Sequence, residues 1–354
     1  MRKYQVLDRL LTVALGAVVL GLSSCNPAPN TIGEVGDSED QLQVVTTFLP
    51  ITQFTKAVAR DRAEVEQLIP LNSGPHDYQA TPAAVQRLAQ ADVLVKNGLE
   101  MEFFLEDLIA NANNPNLQTI DSSEGIPVIR NEDVEGHSHD HGHSHDHEEA
   151  AHHHHHGEYN PHIWLDPKRA IQQVENIRDG LIAADPDGEA EYTQNAAAYI
   201  EQLQQLDAEI TTKLQPYQGN TFVAFHDFAP YFAQSYNLEA EFLVDIPEEN
   251  PAPADVKRVT EAVEKANLKA ILTEPQAGNN AFEALAQDLN VKISTFDPIE
   301  TGTAEALEPE YYFSVMNQNV ENLLQALSGS TQSVLPIWRF QPLALVPQSV
   351  SCQV

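Results

Sequence analysis

Eleven of the fourteen histidines in this chain fall between positions 137 and 156. His137, His139, His141, His143, His145 and His147 alternate with serine, aspartate and glycine, and His152, His153, His154, His155 and His156 follow as an unbroken run. Imidazole is the commonest side-chain metal ligand and titrates near neutral pH, so this density points to metal binding rather than to packing. A segment of Ser, Asp, Gly and His cannot form a packed face, and a disordered loop is expected over about 131–158. Each ion bound there costs ordering entropy. Its sites are therefore expected to be weaker than a preformed site and several in number, suited to capture of metal or sensing of sufficiency.

The three remaining histidines stand elsewhere. His76 lies in Gly74-Pro75-His76-Asp77-Tyr78, in the loop after an expected strand ending near Ile69. His162 lies in Asn160-Pro161-His162-Ile163-Trp164-Leu165-Asp166-Pro167, just before a capped helix. His226 directly follows the expected strand Thr221–Phe225, and Asp297 stands in the same relation to a strand ending at Phe296. Ligands of open parallel sheets bind beyond the carboxyl ends of the strands, where loops converge and helix N-termini face inward. Any one of these residues has an ordinary reading as a turn or capping residue. Their joint placement at loop ends, two in each half of the chain, predicts a metal held in a cleft between two lobes by His76, His162, His226 and Asp297. Three imidazoles with a carboxylate or water suit Zn2+ in a tetrahedral site; manganese prefers more oxygen, and copper would outbind zinc on raw affinity alone.

The elements that must position these residues follow from periodicity. Short apolar runs at 44–49, 63–69 and 92–96 alternate with helical patterns at 51–60, 82–90 and 101–110. A second cycle has strands at 221–225, 239–244, 270–273 and 291–296, with helices at 228–236, 254–266 and 280–289 and a last helix near 317–326. Such alternation predicts an α/β fold of two parallel-sheet lobes. Asp166-Pro167 pairs a cap with a first-turn proline for a helix to about Ala184. The stretch from Glu189 to about Leu214 carries Tyr192, Ala196, Tyr199, Leu203, Leu206 and Ile210 at helical spacing, which predicts one long rigid helix joining the lobes. The expected organisation is an N-terminal lobe over 42–186, a linking helix over 187–215, a C-terminal lobe over 216–327 and a tail over 328–354.

The N-terminus has Arg2, Lys3 and Arg9, an apolar run from Leu10 to Leu22, and then Leu22-Ser23-Ser24-Cys25. This predicts a signal peptide over 1–24, and the Leu-Ser-Ser-Cys ending resembles a bacterial lipobox, with Cys25 as the lipidated residue. A Pro-, Gly- and acid-rich tether over 25–41 would connect the lipid to the folded body. Only one other cysteine, Cys352, is present, so no intramolecular disulfide is expected after lipidation. With 19 basic against 52 acidic residues and a net charge of -33, the chain disfavours nucleic acid and anionic membrane surfaces and attracts cations.

Gly74–Tyr78, Asn160–Pro167 and Phe225-His226-Asp227-Phe228-Ala229-Pro230-Tyr231-Phe232 resemble motifs of the zinc-binding, ZnuA-like solute-binding proteins of bacterial ABC importers. Thr273-Glu274-Pro275-Gln276 and Phe296-Asp297-Pro298 resemble them too, and the likeness extends over roughly residues 42–327. It implies metal bound between two α/β lobes, His76, His162 and His226 as ligands with Asp297 at the family's carboxylate position, and delivery by a monomer to a membrane permease and its ATPase. Manganese-type relatives carry Glu where this chain has His226 and lack a long histidine loop, so the resemblance favours zinc. Zinc-type relatives can carry a disulfide in the second lobe, where Ala270 occupies one of the positions here. The same fold includes proteins described as adhesins, and a metal buffer is a further alternative. An exported zinc hydrolase needs an open coordination position beside a base; no His-Glu-x-x-His is present, and Glu274, the one candidate base, is read instead as part of the pocket wall.

Overall fold

The computed structural model describes residues 41–76, 78–131, 157–247, 250–276 and 280–328. The expected signal peptide, Cys25, the tether up to residue 40, the tract histidines and the tail from residue 329, with Cys352, lie outside the described residues.

Two four-stranded sheets, both wholly parallel, make up the described body. The first consists of β1 (Leu42–Thr46), β2 (Ala63–Gln67), β3 (Val93–Lys96) and β4 (Gln118–Asp121), in the order β2-β1-β3-β4. The second consists of β5 (Thr221–His226), β6 (Glu239–Val244), β7 (Ala270–Thr273) and β8 (Lys292–Thr295), in the order β6-β5-β7-β8. Central strands read as unbroken apolar runs because helices cover both faces: Val93, Leu94 and Val95 are fully buried, as is nearly all of β5. Edge strands are only half covered. In β2, Ala63 is buried whereas Glu64 faces solvent, and in β4 only Ile120 is buried. That is why β4 escapes a search for apolar runs.

Helix starts follow the expected chemistry. The Thr81 hydroxyl accepts from the Ala84 amide at 3.2 Å ahead of α2 (Pro82–Gln90). Asp166 accepts from the Lys168 amide at 3.2 Å ahead of α4 (Pro167–Ala184). The long helix α5 (Glu189–Leu214) buries a single stripe of Tyr192, Ala196, Tyr199, Leu203, Leu206, Ile210 and Leu214. It lies along the seam between the lobes. Asn195 donates to Val58 O of α1 (Leu49–Ala59) in the first lobe, and the Tyr199 hydroxyl donates to Pro309 O, at the start of α9 (Pro309–Ser328), in the second. The last helix thus begins at Pro309, well before the expected 317, because Tyr312, Val315 and Met316 continue its buried stripe. One core cluster runs from Val44 to Ala326 through Phe54, Trp164, Tyr199 and Tyr312, so the two lobes share a core at this seam.

Candidate metal centre

In each sheet the strand order reverses between the first and third strands, and the crevice at their carboxyl ends is the preferred ligand site of such folds. In the second lobe this switch point lies between β5 and β7. β5 ends on His226, and β7 is followed at once by Glu274. In the first lobe it is lined by Thr47, after β1, and Asn97, after β3, both fully buried.

Four side chains converge in front of these ends: His76, His162, His226 and Glu300, one potential donor atom from each lying within 4.8 Å of the others. His76 comes from the loop after β2 and His162 from the segment before α4. His226 closes β5, and Glu300 follows β8. The Glu300 Oε1 atom is 3.1 Å from His76 Nε2, 3.3 Å from His162 Nε2 and 3.6 Å from His226 Nε2, and the last two nitrogens are 3.2 Å apart. A tetrahedron with metal–ligand bonds of 2.0–2.1 Å has edges of about 3.3–3.4 Å. The four separations above lie close to such edges.

The structure brings Glu300, rather than Asp297, to the three imidazoles. Asp297 lies near the site, but its Oδ1 accepts the Ile299 amide at 2.8 Å, and it is not among the four converging groups. Its backbone is gripped by Asn319, which accepts from Asp297 N at 2.8 Å and donates to Asp297 O at 2.7 Å. Trp164 Nε1 donates to Pro298 O at 2.8 Å. These bonds hold Ile299 at φ 64°, a conformation costly for a β-branched residue, and the reversal swings Glu300 into the pocket. Asp297 thus shapes the turn that presents Glu300. Sequence reasoning does not find Glu300; the one signal was an Asp-Pro turn directly after a strand with a second acid three residues on.

Each buried imidazole is oriented from behind. His226 Nδ1 donates to Glu274 Oε1 at 2.6 Å, and the His226 amide donates to the same oxygen at 3.0 Å. His162 Nδ1 donates to Asn160 Oδ1 at 3.0 Å, and Asn160 in turn donates to Asp227 Oδ2 and to Asp227 O. Both rings therefore aim Nε2 into the site, the arrangement expected of metal-binding histidines. Glu274 is spent on this task, as its reading as pocket wall anticipates.

Charge is strongly coupled here. Burial and the neighbouring imidazoles pull His162 down to about 3, so it is neutral. Burial works in the same direction on His226, but the Glu274 and Glu300 carboxylates outweigh it and push it up to about 10. Burial also opposes the charge of Glu300, yet His76, His226 and His162 hold it well below the usual carboxylate range. Burial pushes Asp297 up to about 6 and Asp227 up to about 7.

The sequence matches the family described as the periplasmic zinc-uptake complex component A, ZnuA, over residues 44–326. The chain belongs to the ZnuA family. It is 34% identical over 302 residues to the zinc-binding lipoprotein AdcA of Streptococcus pneumoniae, covering 84% of this chain and 58% of that protein. It therefore spans little more than half the length of that relative. It is 29% identical over 315 residues to the high-affinity zinc uptake system protein ZnuA of Bacillus subtilis, covering 88% of this chain and 96% of the relative. The crystal structure of Zn(II)-bound AdcA from Streptococcus pneumoniae superposes with a TM-score of 0.66 at 31% identity, over 81% of this chain and 58% of that one. Two parallel sheets with a long helix between them are thus the fold of this ZnuA-family chain, as its strand and helix alternation predicts.

Proposed function

We propose that this chain is the zinc-capturing component of an ABC importer. It binds one Zn2+ between its lobes through His76, His162, His226 and Glu300 and hands it to a permease in the cytoplasmic membrane. The single observation carrying this reading is the convergence of three imidazoles and one carboxylate oxygen within 4.8 Å of one another, with the carboxylate oxygen 3.1–3.6 Å from each Nε2, close to the edge of a zinc tetrahedron. A nitrogen-rich set of this kind favours zinc over manganese. Carriage rather than hydrolysis is supported by the burial of His162, His226, Glu274 and Glu300, each at most 2% exposed, and by the engagement of Glu274 with His226. Hydrolysis needs a free base beside an exposed metal position.

In the same reading the chain is exported, held to a membrane through lipidated Cys25 on the tether, and works as a monomer. Its domains are the two lobes with residues 187–215 as the link, and the histidine tract gathers ions without forming the transport site. Calorimetric zinc titration of the chain lacking residues 137–156 tests this division. One tight binding event should remain while the weak ones disappear, and loss of the tight event refutes it. Elemental analysis of protein purified without added metal, with growth of a deletion strain under zinc limitation, tests zinc as the cargo.

A further inference from the structure

Gln276 lies two residues beyond Glu274, in the loop after β7. Its Nε2 donates to Glu274 Oε2 at 3.1 Å and to Glu300 Oε2 at 3.0 Å. The amide orientation is fixed by chemistry, because the reverse would set Oε1 against two carboxylate oxygens. The two carboxylates are thus used alike. Each gives Oε1 to histidine, Glu274 to His226 Nδ1 and Glu300 to the three converging Nε2 atoms, and each gives Oε2 to the same amide. Since Glu300 is 1% exposed, its Oε2 has no bulk water to turn to in place of Gln276.

We propose that Gln276 is a specificity-determining residue that ties up Glu300 Oε2, so that Glu300 meets the metal through one oxygen. A carboxylate free to turn can bind through both oxygens, which raises the coordination number and the oxygen share. Zinc in an N3O set is satisfied at four, whereas manganese gains from each added oxygen. Gln276 thereby disfavours the competitor by withholding a donor, a form of selection against the wrong ion. Its second bond, to Glu274, links the restraint on Glu300 to the group that aims His226.

This inference rests on the metal reading of the cleft, and the test separates the two. The full chain with Gln276→Met, which keeps length but loses the donor, and with Gln276→Ala, is titrated with zinc and with manganese against a competing chelator. Each protein is also loaded with cobalt(II), whose visible absorption is intense when four-coordinate and weak at higher coordination. The expected result is a shift of about tenfold in the ratio of manganese to zinc affinity toward manganese, the size typical of groups behind the ligands, with a weaker cobalt band. An unchanged ratio with an unchanged cobalt band overturns the proposal. So does an equal loss for both ions, which would make Gln276 structural support alone. If the parent chain shows no cobalt band, or keeps it in His226→Ala, the reading of the cleft itself fails.

Discussion

Glu300 and Asp297 stand three residues apart after the same strand, and the proposed site takes Glu300 as its carboxylate. Glu300 Oε1 lies 3.1–3.6 Å from three imidazole nitrogens, while Asp297 Oδ1 is engaged with the Ile299 amide. Glu300→Gln keeps the size and removes the charge. Groups one step behind a metal ligand are worth about 10–100-fold in affinity, so a charged donor should be worth at least the top of that range, about 100-fold, or about 2.7 kcal/mol. Asp297→Asn keeps an oxygen that can accept from Ile299 N–H, and its effect should stay below about tenfold. Asp297→Ala removes the acceptor of the Ile299 amide, leaving only the Asn319 and Trp164 backbone bonds to hold Ile299 at φ 64°. Relaxation of such a residue is worth about 1–3 kcal/mol; it would carry Glu300 out of line and give an intermediate loss. Competitive zinc titration of the three variants, with melting curves to separate folding from binding, reads the order. If Asp297→Asn loses as much zinc affinity as Glu300→Gln, Asp297 is the ligand and the assignment of Glu300 is wrong.

Three further outcomes follow from single contacts. Burial pushes Glu102 up to about 7 from an ordinary 4.5, so the folded chain retains a proton that the unfolded chain releases. Stability should therefore fall as pH rises from about 4.5 to 7, by about 3 kcal/mol for this group, and Glu102→Gln should flatten that slope in denaturant titrations at several pH values; an identical slope refutes it. The Tyr231 hydroxyl donates to Asn160 O at 2.7 Å and accepts from Ile129 N at 3.1 Å, so Tyr231→Phe leaves two groups unpaired and should cost about 1–3 kcal/mol, against which an unchanged denaturation midpoint would count. His226→Glu replaces nitrogen by oxygen and should move metal preference toward manganese. It also sets two carboxylates together at Glu274, so Glu274→Gln in the same chain should recover stability; competition between the two metals and melting curves check both parts.

The three converging histidines are legible because only three histidines lie outside the tract, and strand periodicity puts two of them in loops at carboxyl ends. The central strands are legible for a related reason, since burial on both faces leaves continuous apolar runs. Illegible features depend on one-sided burial or on backbone conformation. β4 exposes Gln118 and Thr119 and so carries little apolar signal. Glu300 is one of 52 acidic residues, and nothing in its identity distinguishes it. Its direction is set by a left-handed Ile299, which no propensity favours and which only the surrounding Asp297, Asn319 and Trp164 contacts enforce. Asp297 stands out in the sequence as the first acid after β8, and in the structure its side chain accepts from the Ile299 amide and builds the turn.

His162 shows why the site cannot be divided lobe by lobe. By sequence it belongs to the first lobe, and Asn97 of that lobe donates to the neighbouring Pro161 O at 3.0 Å. The Ile129 carbonyl, which accepts from Asn160 N at 3.0 Å, is a second hold from that lobe. Further support comes from the second lobe. Tyr231 holds Asn160 O and Asp227 holds the Asn160 amide, while Ser235 donates to Asp166 and Tyr312 to Trp164 O. Arg169 adds a bond to Gln234 at 2.7 Å and stacks over the Tyr231 ring at 4.5 Å. A ligand pinned from both sides keeps its geometry only while the seam is closed, so contacts far from the metal, such as Tyr231 to Ile129, bear on affinity through the position of one imidazole. The segment from Asn160 to Asp166 is therefore at once the seam between the lobes and a wall of the metal centre, and a substitution that loosens the first also disturbs the second.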